Sequence, residues 1–187
     1  MAGAAPPAGT APDADGRGRR VAIYAAIVVL GMVAVAAVRW HSFSEPIEGD
    51  EAIYLLIAQD WREGGALYQS LWDNKPVGTF MIYRLLVALW GCSEFAARAG
   101  AMVAALATVP LVALSLRGRP LWLTALVAVV VWPLLNAIPS THVNASNMEV
   151  FLLPLLLAAF VLSQWAVERR SLGAVYATVA VWPWRSA

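Results

Sequence analysis

The sequence predicts an all-α, polytopic membrane bundle of four to five transmembrane helices, with juxtamembrane helices in its first outer loop. Three observations predict it. Charged residues make up only 13% of the chain and apolar ones 60%, whereas a soluble domain carries about a quarter charged. The polar surface is too small to coat a globule, so lipid must cover much of it. The apolar residues also gather into runs near the ~20 residues that a helix needs to cross ~30 Å of hydrocarbon. Nine tryptophans accompany them, and indole rings favour the membrane–water boundary.

Residues 1–20 are rich in Ala, Pro and Gly and poor in large apolar groups. They cannot bury enough surface to fold, which predicts a disordered tail ahead of a membrane domain at 21–187. Arg17, Arg19 and Arg20 end the tail, directly before the apolar run 21–38. That layout is shared by signal peptides. The run is longer than a usual signal core, however, and Arg39-Trp40-His41 follows it without a small-x-small exit. An uncleaved first span is the reading adopted.

Further spans are expected at 95–116, Leu121–Ala137 and 150–167, with a short fifth at 172–184. Arg117 and Arg119 separate the second and third, and Glu168, Arg169 and Arg170 follow the fourth. If each span crosses once, all three basic clusters share a face, which the positive-inside rule makes cytoplasmic. The N-terminus is then cytoplasmic, and loops 39–94 and 138–149 are extracytoplasmic. Residues 77–90 are apolar but few, and carry Arg84 mid-run. A charge there is costly at mid-bilayer, and a span would place later basic loops on the wrong face. A helix lying in the outer interface is expected instead.

The first outer loop concentrates the polar residues. Glu45, Glu48, Asp50 and Glu51 fall within seven positions just beyond the first span. Asp50 precedes a helical stretch at 51–63, so an N-cap role explains it locally. The alternative is a carboxylate at the membrane boundary that takes a proton from an acceptor hydroxyl. The stretch has apolar residues at helical spacing and could lie on the membrane; Gly64-Gly65 then ends it. Lys75 is the only lysine beside twelve arginines. It reads either as a snorkelling anchor for the next helix or as a point charge for phosphate at headgroup depth. Pro76 fits a helix start. Trp40, Trp61, Trp72 and Trp90 read as interface anchors.

The ordered set Asp50-Glu51-x-x-Tyr54, Ala58, Gly65, Tyr68, Asp73-x-Lys75-Pro76, Tyr83, Gly91 and Arg98 resembles the polyprenyl-phosphate-dependent membrane glycosyltransferases of the GT-C class, among them family-39-type protein mannosyltransferases and lipid A aminoarabinose transferases. The likeness covers roughly residues 48–98 and continues more weakly through 141–151. It implies transfer of a sugar from a polyprenyl-phosphate-linked donor to a lipid, glycan or protein acceptor on the outer face. It further implies Asp50 and Glu51 as the catalytic residues, Asp50 as base and Glu51 as its partner in the motif, and Lys75 and Arg98 on the carrier phosphate. No metal and no cofactor are implied. Val77 stands where the family's usual second proline follows the lysine, and the chain stops where relatives run on, which predicts a truncated product.

Other features carry less. His142, Asn144, Asn147 and Glu149 make a polar second outer loop, and Asn144-Ala145-Ser146 matches a glycosylation sequon. Cys92 is the single cysteine, so no internal disulfide is possible. The net charge of +1 carries no argument for nucleic acid, and none is expected as a partner; membrane lipids are. The rival to the enzyme is a non-catalytic membrane scaffold whose carboxylates only cap helices. A transporter would place ionisable residues inside its spans, and these spans are nearly uncharged.

Overall fold

The computed structural model of the protein describes residues 14–137 and 146–169. Every named element among them is helical. Helix α1 spans Ala14–Arg39 and runs on into a 3-10 turn, Trp40–Ser44. It begins earlier than expected, so residues 14–20, assigned to a disordered tail, are helical and carry the three arginines. The physical reason is cooperativity: once the span is nucleated, each added residue gains a bond at little cost, and Arg is a good helix former. The first thirteen residues lie outside the described part.

Helix α2 (Gly49–Arg62) and helix α3 (Val77–Trp90) fill the first long loop. Helix α4 (Glu94–Ser115) starts at Ser93, whose hydroxyl accepts the Ala96 amide at 3.2 Å. Next comes an apolar stretch, Leu121–Ala137. It is built as α5 (Leu121–Ala125), a π-helical segment (Leu126–Val131) and α6 (Trp132–Ala137). Helix α7 (Met148–Arg169) follows. The expected span at 172–184 and most of the second outer loop lie outside the described residues.

Three helical segments are long and apolar enough to cross a membrane: Gly16–Ser44, Glu94–Ser115 and Met148–Arg169. The chain is a membrane protein on that ground. The Leu121–Ala137 stretch has 17 residues, about 25 Å of helix, at the lower limit for a span. It nonetheless runs parallel to α1, with Asn136 beside Arg39 and Ala128 beside Gly31. A Cβ on Gly31 would stand 2.6 Å from the Ala128 carbonyl oxygen and 2.8 Å from Val109. Only glycine permits that approach, and it is made against the π-helical segment.

Helix α4 is the central post. Of its apolar stretch 61% is buried, against 17% for α1 and 22% for α7. Its sequence explains this. Ala97, Gly100, Ala101, Ala104 and Ala105 are small and buried, and small faces let membrane helices approach closely and gain dispersion contact. Apolar groups of α1 and α7 face outward instead, as lipid-facing surfaces do.

The bundle has two unlike ends. At one, Arg117 pairs with Glu168 at 2.9 Å and the Gln164 amide donates to the Ser115 carbonyl at 3.3 Å. The start of α1, with Arg17, Arg19 and Arg20, belongs to this arginine end. At the opposite loop end, α2 and α3 pack against the first turns of α4 and α7.

Candidate functional site

At the loop end the chain departs from the expected cap. Glu48, not Asp50, is the N-cap of α2, and Asp50 stands in the first turn. One oxygen of Glu51 accepts the Glu48 amide at 3.1 Å, the back-reaching half of a capping box. The other accepts Arg98 Nη1 at 2.9 Å and the Ser146 amide. Arg98 Nη2 donates to the Pro46 carbonyl at 2.9 Å. The Tyr83 hydroxyl donates to the Ser146 carbonyl. Glu51 is wholly buried and Arg98 only 3% exposed. Five segments therefore meet on one ion pair: the turn before α2, α2 itself, α3, α4 and the entry to α7. Two charges taken out of water need partners for their remaining donors and lone pairs, and the backbone groups supply most of them.

Asp50 precedes Glu51 in the same helical turn but is not part of this cluster. It is exposed, and its Oδ2 accepts the Tyr54 hydroxyl at 3.3 Å. The pair is spaced i, i+4, so one helix face carries both. The Tyr54 ring has no exposed surface and stands edge-on to Tyr83 at 5.3 Å and Phe80 at 6.1 Å. Burial pushes the Tyr54 hydroxyl well above the ordinary phenol range, and the carboxylates of Asp50, Asp73 and Glu149 add to it. It stays protonated and can only donate to the carboxylate it meets.

Lys75 is half-buried in the turn ahead of α3. Its amide donates to Asp73 Oδ1 at 3.1 Å, and its carbonyl accepts the Tyr68 hydroxyl at 2.7 Å. Tyr68 takes a φ of 65°, strained for a residue with a Cβ, and packs edge-on to Phe80 at 5.7 Å. Burial and the Asp73 carboxylate push its hydroxyl up. Tyr54, Phe80 and Tyr68 thus form a row of rings joining the Asp50 helix to the Lys75 turn. Among the described residues no carboxylate forms an ion pair with the Lys75 ammonium.

No family model, curated protein or solved structure matches the chain. The site is therefore read from its own geometry. Of the four expected site residues, the fold pairs Glu51 with Arg98 in the interior, while Asp50 is exposed and Lys75 half-buried, the two joined through the row of rings. The expected phosphate role of Arg98 competes with its bonds to Glu51 and Pro46.

In the sequence Arg39 stands at the start of the outer loop. It is fully buried, with Nη1 donating to Asn136 Oδ1 at 2.9 Å, and Asn136 in turn donates to the Trp132 carbonyl at 2.8 Å. A basic residue at the end of an apolar run ordinarily snorkels to water; its partner lies 97 positions away, beyond any local signal. His142 and Asn144 lie outside the described residues. Ser146, the third residue of the sequon, is buried. Among the described residues no group of three acidic, His or Cys side chains is arranged to hold a metal.

Proposed function

We propose that this chain acts in sugar transfer from a polyprenyl-phosphate carrier to an acceptor hydroxyl at the extracytoplasmic face of a cell membrane, with its arginine end cytoplasmic. The observation that carries this reading is the exposed Asp50 carboxylate, held by a buried tyrosine hydroxyl on a helix anchored by an interior ion pair. A general base needs such fixed geometry and access to the incoming hydroxyl. In the proposed step the acceptor oxygen bonds to the anomeric carbon. The bond from that carbon to the phosphate oxygen breaks, with its electron pair leaving on the phosphate. Asp50 takes the hydroxyl proton. The Lys75 ammonium stabilises the charge gathering on the departing phosphate, as preorganised cations do. Glu51 and Arg98 hold the loop that presents Asp50.

One observation favours a second reading. Two of the four residues in the motif neutralise each other inside the bundle, as a scaffold's would. The test is transfer from radiolabelled polyprenyl-phosphate sugars in membranes containing the protein. The enzyme reading expects Asp50→Asn to lower the rate about 10²–10⁴-fold, and Lys75→Met to lower it while leaving the fold intact. Transfer that survives Asp50→Asn removes the base from the mechanism. No transfer across a broad donor panel supports the scaffold.

A further inference from the structure

At the arginine end, helix α1 runs on past the helix beside it. Two contacts fix the level: Arg39 beside Asn136 and Gly31 beside Ala128, each pair 97 positions apart. The same offset sets Tyr24 level with Leu121, where α5 begins. The exposed Trp122 ring marks the membrane boundary there. Arg20 then stands about 6 Å and Arg17 about 10 Å beyond Tyr24, at 1.5 Å per residue. Those depths fall in the headgroup layer and at its outer edge.

Several local terms oppose helix in this projecting part. Residues 17–22 are all exposed, so little packing holds them. Gly16 and Gly18 are poor helix formers. Arg17, Arg19 and Arg20 place positive charge where the helix dipole is already positive. Arg17 and Arg20, three apart, are neighbours of like charge. At the same end Arg117 is engaged by Glu168, and Arg169 lies over the Trp165 ring at 4.0 Å. By contrast Arg17, Arg19 and Arg20 form no ion pair among the described residues. Propagation from the span extends the helix this far, and a bound anion would remove the repulsion within it.

Gly16, Arg17, Arg20, Val21 and Tyr24 line an open concavity of about 480 Å³, within the range of about 300–1,000 Å³ for small-ligand sites. Their spacing keeps Arg17, Arg20 and Tyr24 on one face of α1 and sets Arg19 on the opposite one. Among the described residues the lining supplies two guanidiniums and a phenol hydroxyl, and no carboxylate. We propose that Arg17, Arg20 and Tyr24 bind the phosphate of an anionic phospholipid in the leaflet at the arginine end, and that its occupancy holds the first turns of α1 helical. Guanidinium forks match phosphate oxygens, whereas the ammonium of a zwitterionic headgroup finds no counter-charge in this lining. Tyr24, at the boundary, offers its ring to the acyl end and its hydroxyl to the phosphate. The site is at the end of the bundle away from Asp50 and is independent of sugar transfer.

The test reads amide hydrogen exchange along α1 of the full chain in two kinds of vesicle, phosphatidylcholine alone and equal parts phosphatidylcholine and phosphatidylglycerol. Phosphatidylglycerol should slow exchange at residues 16–20 about tenfold and leave residues 25–38 unchanged. Arg17→Gln together with Arg20→Gln should abolish the slowing, and Arg19→Gln should leave most of it. Equal exchange in the two vesicles overturns the inference. An equal loss from Arg19→Gln also overturns it, since the attraction is then a diffuse surface effect. Equal slowing by inorganic phosphate in phosphatidylcholine vesicles overturns it too, since the ligand is then a free anion. Residues 25–38 report whether each variant keeps its span, and the comparison of the two vesicles with the unaltered protein decides the proposal without any variant.

Discussion

The two ends of the bundle are held by the same kinds of residue in opposite circumstances. At the loop end, Glu51 and Arg98 meet with 0 and 3% of their side chains exposed, and backbone groups of Pro46, Glu48 and Ser146 complete the arrangement. At the arginine end, Arg117 and Glu168 meet at the same 2.9 Å, but are 33 and 60% exposed. Equal distance does not mean equal consequence. An exposed pair contributes little because water solvates each charge separately. A buried pair cannot lose one member without stranding the other. The bundle therefore fixes geometry at the loop end, where Asp50 and Lys75 are, and leaves the arginine end adjustable.

The largest effect should come from breaking the interior pair alone. Arg98→Ala or Glu51→Ala strands one buried charge and should cost about 3–5 kcal/mol, read as unfolding free energy in mixed micelles. The next should come from mid-bundle, which belongs to neither end. Gly31→Val drives a branched side chain against the Ala128 carbonyl and Val109 and should cost about 2–3 kcal/mol through overpacking; the same denaturation series reads it. Tyr83→Phe removes the donor to the Ser146 carbonyl and should cost about 1–2 kcal/mol. It should also loosen the entry to α7, measured as faster amide exchange at residues 146–150. The smallest effect is Arg117→Ala, within about 1 kcal/mol and shrinking further as salt is added.

The contrast also separates what local sequence carries from what it does not. The positions of α3, α4 and the Leu121–Ala137 stretch were legible to within a residue, because apolar runs and a flanking Pro76 are local signals. The Tyr54–Asp50 bond was legible in principle, being one helical turn long. The start of α1 was misread because composition argued for disorder, while continuity with an already formed helix decided the matter. The Asp50 cap was misread because a carboxylate favours several positions near a helix start, and Glu48 took the cap. The interior pair was out of reach: Glu51 and Arg98 are 47 residues apart, Ser146 and Glu51 are 95 apart, and no periodicity links them. Arg98 and Lys75 look alike as cations beside an apolar run, and only packing separates the buried, ion-paired one from the half-buried one.

A pair of double-mutant cycles, Glu51/Arg98 and Arg117/Glu168, with unfolding free energies measured in one micelle system, tests the difference between the ends most directly. The interior cycle should give a coupling of about 2–3 kcal/mol, since the second removal relieves what the first stranded. The exposed cycle should give less than about 1 kcal/mol. Equal couplings at the two ends would contradict the account, and with it the claim that an interior ion pair fixes the helix presenting Asp50.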